Sequence, residues 1–203
     1  MAQIFSDILA KGIRRGQVPA RTASAREWYR NQAQKSGSGT NAESVIQQTK
    51  KSNTRATVSN EGHIGQMLLF QYDAKNKDTL PYYDRFPLIF PINIVKGGFM
   101  GMNMHYLPPR LRATLMDELY DVASNDRFDA RTRLEVSYKL LSSASKFSLF
   151  KPTVKRYLAS HVKSRFVKIE SSEWDIALFL PLQNFVGASK QKVWADSRKM
   201  IQG

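Results

Sequence analysis

The spacing of apolar residues changes near residue 65, and this change divides the chain into two predicted regions. At the start of the first region, apolar residues recur at helical spacing and predict a short amphipathic helix whose apolar side needs a partner. These residues are Ile4, Phe5, Ile8 and Leu9. Gly16 and Pro19 follow and separate this helix from the next one.

A second short helix is predicted from Ser24, with Trp28 as its main apolar anchor, and the Ser and Gly residues at 36–39 end it. Residues 41–51 could form a polar helix, whereas residues 52–62 are rich in Ser, Thr and Asn and are typical of an extended linker. We therefore predict that residues 1–62 form an arm that orders fully only against another surface, and that residues 63–203 form the core domain.

Three strands are predicted after residue 65. Residues 67–72 have strand composition, residues 86–95 form a second apolar run, and residues 99–106 alternate between an apolar face and a small or polar face. Prolines in the second run remove backbone donors, so this strand is expected at a sheet edge or at a bulge. The three strands are expected to form a small antiparallel sheet whose edges need protection.

Helices are predicted to cover this sheet. Apolar residues at helical spacing indicate helices over residues 108–124, over residues 129–141, from Pro152 to Val162, and over residues 188–201. Between the last two, residues 165–169 alternate basic and apolar side chains, which predicts a strand that returns to the first sheet. The predicted fold class is α+β: a small antiparallel sheet, of which an SH3-like partial barrel would be one form, covered by several helices and preceded by a basic arm.

The main feature of the composition is an excess of positive charge. The chain has 31 Lys and Arg against 17 Asp and Glu, a formal net charge of +14, while its 42% of hydrophobic residues is enough for a core. A protein with this much positive charge attracts polyanions, so nucleic acid is the leading class of partner, and acidic protein surfaces are the alternative. The absence of cysteine excludes disulfides and thiolate metal sites. With no leader-like segment and no membrane-spanning apolar run, a soluble, unprocessed protein is expected.

The positive charge is concentrated in two stretches. Residues 1–60 contain ten Lys or Arg and three Asp or Glu, whereas residues 136–169, the acid-free stretch, contain eight Lys or Arg and no Asp or Glu. Protein surfaces normally mix positive and negative charges, so a stretch with only positive charges indicates an anionic partner. We favour contacts with DNA phosphates, which would be independent of base sequence and sensitive to salt; the alternative is an acidic partner protein. The predicted nucleic-acid contacts are Lys139, Lys146, Lys151, Lys155, Arg156, Lys163, Arg165 and Lys168, with Arg14 and Arg15 of the arm.

The string LPYYDRFP at residues 80–87, the tyrosine-proline segment, contains two prolines that bracket two tyrosines, an acid and a base. The prolines restrict the backbone, which predicts a rigid approach to a strand; the alternative is a docking surface for a neighbouring subunit. The arm could also dock onto a neighbouring subunit, because its apolar residues have little local core to pack against. The candidate protein-interface residues are Phe5, Ile8, Leu9, Trp28, Tyr82 and Tyr83.

Catalytic chemistry finds little support in the sequence. The three histidines lie far apart and lack metal-site spacing. The acids Asp117, Glu118 and Asp121 share a predicted helix and could hold Mg²⁺ in a nuclease, but acids on a basic helix more often balance charge. No catalytic residue, metal ligand or cofactor is predicted.

Several strings resemble virion proteins of T-even-like contractile-tailed phages. They are GQMLLFQYDAKNKDTLPYYDRFPLIFPI, FMGMNMHYLPPRLR, SRFVKIESSEWDIALFLP and KVWADSRK, with SAREWYRNQA as a weaker extension into the arm. The closest functional label for this resemblance is the DNA end protector, which guards the termini of the packaged genome. The resemblance implies a non-enzymatic virion protein, assembled in the host cytoplasm, where the DNA end meets the portal, neck or tail. The alternative is a structural component of the neck, tail or baseplate whose basic surface docks acidic subunits.

Overall fold

The computed structural model describes residues 3–17, 22–36, 42–48, 66–123, 139–141, 143–145 and 147–203. Its helices are α1 (Gln3–Arg14), α2 (Ala23–Lys35), α3 (Ala42–Gln48), α4 (Pro109–Ala123), α5 (Trp174–Phe179) and α6 (Lys190–Gln202). Its strands are β1 (Met67–Leu69), β2 (Tyr83–Asp84), β3 (Leu88–Val95), β4 (Gly98–Asn103), β5 (Val154–Leu158), β6 (Val167–Ile169) and β7 (Phe185–Val186). No helix within these ranges is long and apolar enough to cross a membrane.

Five strands form one antiparallel sheet in the order β5-β4-β3-β1-β6, and β2 and β7 form a separate two-stranded ribbon. The three strands predicted first are neighbours in this sheet, and the predicted return of residues 165–169 is confirmed by β6, which pairs with β1. The predicted α+β fold class is therefore confirmed. Across the described part of the chain the sheet is open, with β5 and β6 as its edges, so it does not close into a barrel.

β3 accommodates a proline in the interior of the sheet. The strand lies between β4 and β1, and its pairing with β4 shifts register between Pro91 and Asn93. The bulge, one of the two expected alternatives, is thus present, and the strand can lie inside the sheet because the bulge removes the need for a regular backbone donor. Gly101 lies opposite Pro91, where an added Cβ would be 2.7 Å from Cδ1 of Ile89. Only glycine fits at this position without a shift of its neighbours.

The helix predicted from Pro152 is wrong. Pro152 lies in a 3-10 turn, Ser148–Thr153, and the residues that follow it form β5. Their backbone groups pair with β4, and the ring of Tyr157 stacks on that of Phe99 at 5.5 Å between centroids. Cross-strand pairing and aromatic packing outweigh the helical spacing of the apolar residues. Residues 139–141 are helical, and the rest of the helix predicted over residues 129–141 lies outside the described residues.

The two faces of the sheet carry different hydrophobic clusters. One face and the helices enclose the main cluster, in which Phe90 packs edge-on against Trp174 at 5.1 Å between ring centroids. The other face carries a smaller aromatic cluster around Phe70. Its ring packs edge-on against the rings of Tyr72, Phe99, Tyr157 and Phe166. Aromatic residues of the acid-free stretch therefore contribute to packing.

The helices of the N-terminal arm pack onto the main hydrophobic cluster. Phe5 and Ile8 of α1 are 1% and 7% exposed, and Leu9 and Trp28 are partly buried against the same cluster. The partner surface that the arm's apolar side requires thus lies within the chain itself. This burial places Phe5 and Ile8 inside the fold of the chain itself, and their predicted role at a protein interface stays a prediction. The predicted boundary between residues 62 and 63 stays a prediction.

An arginine of α2 fastens the arm to the rest of the fold. Nε of Arg30 donates to Oδ1 of Asp175 at 2.8 Å, and its Nη2 donates to Oδ1 of Asp117 at 2.7 Å. The guanidinium also lies 5.3 Å from the ring centroid of Phe179. Burial raises the pKa of Asp175 to about 6, and the charge of Arg30 opposes this rise. Part of the positive charge of the arm is therefore used inside the fold.

Replacing Arg30 by alanine should lower the free energy of unfolding by about 3 kcal/mol, because the buried carboxylate of Asp175 would lose the hydrogen bond and the charge of Arg30. Lys35→Ala, at an exposed position of the same helix, is the matched control and should change stability by less than about 0.5 kcal/mol. Urea unfolding followed by circular dichroism measures both variants. Equal stability of the two would show that Arg30 does not fasten the arm.

Candidate nucleic-acid interface

The tyrosine-proline segment is braced along its length. Its strand β2 pairs with β7, and the N–H of Arg85 donates to the carbonyl oxygen of Asn184 at 2.8 Å. Gly187, at a φ of +91°, lies so close that an added Cβ would be 2.7 Å from the carbonyl oxygen of Pro81. The left-handed backbone and the close approach both require glycine there. The β2–β7 ribbon therefore holds the segment in one conformation.

The carboxylate of Asp84, which is 3% exposed, anchors this segment. Its Oδ1 accepts hydrogen bonds from the backbone N–H groups of Phe86 at 3.1 Å and Asn184 at 3.3 Å. Its Oδ2 accepts from Nδ2 of Asn103 at 3.0 Å and from Nδ1 of His105 at 2.7 Å. Donors from three separate parts of the chain thus converge on one buried acid, which compensates for its loss of hydration.

His105 is fully buried beside this carboxylate. Burial lowers the pKa of His105, while Asp84 acts in the opposite direction, and the neutral imidazole can donate from Nδ1. Nδ2 of Asn103 also donates to the hydroxyl oxygen of Tyr157 at 3.1 Å, which links the network to β5. Burial raises the pKa of Tyr157 and Tyr106, so both hydroxyls stay protonated.

Next to this network lies a cleft of about 700 Å³, the tyrosine cleft. Tyr82 and Tyr106 form part of its lining, with their ring centroids 6.1 Å apart. The cations of the lining are Lys75, Lys155 and Arg156, and its other tyrosines are Tyr72, Tyr83 and Tyr157. The cleft therefore joins the tyrosine-proline segment to the acid-free stretch, two features that are far apart in the sequence.

Lys155 is the most buried of the three cations that line the tyrosine cleft. Its Nζ lies 4.2 Å from the ring centroid of Tyr106, and no carboxylate among the described residues pairs with it. Burial lowers the pKa of Lys155, because the ammonium loses part of its hydration. Arg156, the next residue in β5, is exposed and donates from Nη2 to the carbonyl oxygen of Lys96 at 3.0 Å. A half-buried ammonium without an acid partner is suited to an anionic group from outside the chain.

The other predicted contacts of the acid-free stretch lie elsewhere on the surface. Lys163 and Arg165 line a second, smaller cleft of about 420 Å³, which Glu43 of α3 also lines. Also exposed are Lys139, Lys151 and Lys168, whereas Lys146 lies outside the described residues. Lys168 is 3.5 Å from a carboxylate oxygen of Glu170. The structure thus brings only part of the acid-free stretch to the tyrosine cleft.

The two arm residues among the predicted contacts, Arg14 and Arg15, are exposed at the end of α1. Nε of Arg14 donates to the carbonyl oxygen of Ala10 at 3.4 Å. The guanidinium of Arg15 lies 6.0 Å from the ring centroid of Trp28. Neither arginine lines the tyrosine cleft, so they belong to a separate basic surface.

Sequence reasoning missed the role of Asp84 and the contribution of Lys75 and Tyr106 to the cleft. One signal was present: Asn103 and His105 are polar residues at the end of an otherwise apolar strand. Buried polar side chains need partners, and an acid within a rigid neighbouring segment can supply one. The pairing of these particular residues depends on tertiary contacts between distant parts of the chain.

Metal-dependent catalysis finds no support in the residues that the structure describes. Among them, no three side chains of His, Asp or Glu lie close enough together to hold a metal ion. Asp117, one of the acids considered for Mg²⁺, instead lies 3.3 Å from Nε of Arg26 and 2.7 Å from Nη2 of Arg30. This carboxylate balances the charge of the arm.

The sequence profile of a protein family described as phage T4 terminal DNA protecting protein matches residues 9–200. The matched range includes every residue that lines the tyrosine cleft. No curated protein and no solved structure matches the chain. The resemblance to proteins of T-even-like phages is therefore confirmed by the family match alone.

Asp84→Ala should lower the free energy of unfolding by about 3 kcal/mol, because it leaves buried donors, including the side chains of Asn103 and His105, without their acceptor. Asp78→Ala, at an exposed position a few residues earlier, is the matched control and should have an effect below about 0.5 kcal/mol. Thermal unfolding at neutral pH compares the two variants. A small effect of Asp84→Ala would contradict its role as the anchor of the segment.

Proposed function

Because the chain belongs to the family of phage T4 terminal DNA protecting proteins, we propose that it binds and shields the end of the packaged genomic DNA in the virion. Its contacts with DNA are made to phosphates and do not depend on base sequence. It acts where the DNA end meets the portal, neck or tail. Protection follows from occupancy, since a terminus covered by protein is out of reach of a nuclease, and no catalytic step is needed.

The observation that carries this proposal is the exposure of cations in the acid-free stretch. Lys151, Arg156 and Lys163 are exposed, and none of them forms a salt bridge in the described part of the chain, where Lys163 interacts with the carboxylate of Asp73 only at longer range. Each cation that reaches a phosphate releases condensed counterions from DNA, which favours binding independently of base sequence. A surface of this kind suits a partner with a regular array of negative charges.

Other cations of the chain are used differently. Arg30 bridges two carboxylates, and Arg112, which is 2% exposed, donates to the backbone carbonyls of Leu107 at 2.7 Å and Leu178 at 2.6 Å. Burial lowers the pKa of Arg112 to about 9. These arginines stabilise the fold and are not available to DNA. The contrast supports a binding role for the exposed cations, to which Arg14 and Arg15 add a second basic surface.

A structural role among other virion subunits is a second candidate. Ile13 and Phe147 are large apolar side chains that are 59% and 63% exposed. Single exposed apolar residues are common on protein surfaces, so they support this role less strongly than the cations support DNA binding. In this role, the basic surface would meet acidic subunits of the neck, tail or baseplate, and Tyr82 and Tyr83 would contribute to docking.

The phosphate mechanism predicts a specific loss of salt sensitivity. The triple variant Lys151→Gln, Arg156→Gln, Lys163→Gln should flatten the slope of log Kd against log salt concentration by about 2.7, at about 0.9 for each of three lost phosphate contacts. The control triple variant Arg110→Gln, Arg198→Gln, Lys199→Gln removes the same charge from exposed positions outside the acid-free stretch and should leave the slope nearly unchanged.

Fluorescence anisotropy with a blunt duplex at increasing salt measures these slopes. No binding of the wild-type protein at about 50 mM salt, or a slope that does not respond to salt, would exclude phosphate neutralisation as the mechanism. Equal slopes for the two triple variants would show that net charge, and not the acid-free stretch, determines binding. Absent DNA binding together with binding to acidic virion subunits would favour the structural role.

A further inference from the structure

A duplex end offers one feature that the rest of the duplex lacks. Phosphate contacts along the backbone are the same in the middle of a duplex as at its end, so they position a protein without selecting a terminus. The last nucleotide, in contrast, stacks on one side only and is easier to unstack than an internal one. A protein that prefers ends therefore gains from a cavity that receives this nucleotide.

The tyrosine cleft has the size and lining for one nucleotide. Its volume of about 700 Å³ lies within the range of cavities that take small organic ligands. The rings of Tyr82 and Tyr83 are only partly buried, so each keeps part of its surface exposed for contact with a base, whereas those of Tyr72 and Tyr157 are buried. Stacking on aromatic rings accepts any base, which fits binding without sequence preference.

The cations and apolar side chains around the tyrosines are of the types that bind the phosphate and the base of a nucleotide. Nζ of Lys155 lies against the ring of Tyr106 in the wall of the cleft, and it has no acid partner among the described residues. The cleft is also lined by Leu80 and Met200, which are 42% and 45% exposed. Val186, 40% exposed, lies opposite Tyr83 in the β2–β7 ribbon. Exposed apolar side chains gathered around one cleft, with a cation in its wall, indicate a ligand with a flat apolar part and an anionic part.

We propose that the tyrosine cleft binds the terminal nucleotide of one DNA strand, with its phosphate at Lys155 and Arg156 and its base against Tyr82 and Tyr83. This inference rests on the proposed function and adds the site that distinguishes an end from the rest of the duplex. The anchor at Asp84 holds the segment in place before DNA arrives, so little ordering of the cleft is required on binding.

The energetic balance sets which ends bind best. Stacking on an aromatic ring contributes about 1–3 kcal/mol per base, and releasing a paired terminal base costs a few kcal/mol. A terminal nucleotide that is already unpaired avoids this cost. The expected order of affinity is therefore a duplex with a one-nucleotide overhang, then a blunt duplex, then a duplex without ends.

The test uses the full chain and three duplexes of equal length and sequence: one with a one-nucleotide overhang, one blunt, and one with both ends closed by polyether linkers that carry no bases. Anisotropy competition at fixed salt should show the closed duplex binding at least about tenfold more weakly than the duplex with the overhang, as expected for loss of one stacked, charge-paired nucleotide, with the blunt duplex between the two. Lys155→Met keeps the length of the side chain over Tyr106, removes the charge, and should reduce this end preference to about twofold or less.

The control Lys163→Met removes a charge outside the tyrosine cleft, so it should weaken binding of all three duplexes alike. Thermal unfolding of both variants checks that they are folded. Equal binding of open and closed duplexes by the wild-type protein, or an end preference that Lys155→Met leaves intact, would overturn the inference while leaving phosphate binding in place. Failure to bind any duplex would instead contradict the proposed function itself.

Discussion

The tyrosine cleft depends on the burial of one carboxylate, that of Asp84. Its oxygens accept from the side chains of Asn103 and His105 and from backbone groups on either side of the β2–β7 ribbon. A buried donor without an acceptor costs about 1–3 kcal/mol, so these contacts fix the relative positions of the parts that they join. Tyr82 and Tyr83 directly precede this acid, and their placement at the cleft follows from its anchoring.

The positive charge of the chain falls into two groups with different physical roles. Arg112 is buried and donates to backbone carbonyls, whereas Arg30 is partly buried and pairs with two carboxylates, and both hold helices together. The cations of the acid-free stretch lie mostly at the surface, where phosphates can reach them. Lys155 is intermediate, because it is less exposed than most cations of the acid-free stretch but, unlike Arg30, has no acid partner among the described residues. This position makes it the best-placed cation for a ligand that enters the cleft.

Several helices and strands could be predicted from the sequence because the spacing of their apolar residues matches the faces that are buried in the structure. Strands β3 and β4 and helices α4 and α6 lie close to their predicted ranges, since β3 is a continuous apolar run and each of the others has an apolar face of the matching period. β5 was predicted as a helix because its apolar residues also fit helical spacing, and only pairing with β4 decides between the two. The burial of Phe5 likewise depends on a surface that lies far along the chain.

The candidate site was predictable in its components but not in their assembly. The prolines and tyrosines of residues 80–87 and the absence of acids in residues 136–169 were visible in the sequence. Their meeting in one cleft requires β5 to pair alongside β4 in the sheet, and requires the Asp84 network to hold β2 beside them. The description of the matching family names terminal DNA, and it does not indicate where on the chain DNA ends would bind.

A crystal structure of the protein bound to a short duplex with a 5′-phosphate and a one-nucleotide overhang would show whether the tyrosine cleft holds the end of the DNA. We predict that the terminal nucleotide lies in the tyrosine cleft, with a phosphate oxygen within about 4 Å of Nζ of Lys155. The base is expected against the rings of Tyr82 and Tyr83. A complex in which the DNA end lies on another surface and the cleft stays empty would show that the tyrosine cleft is not the binding site of the terminal nucleotide.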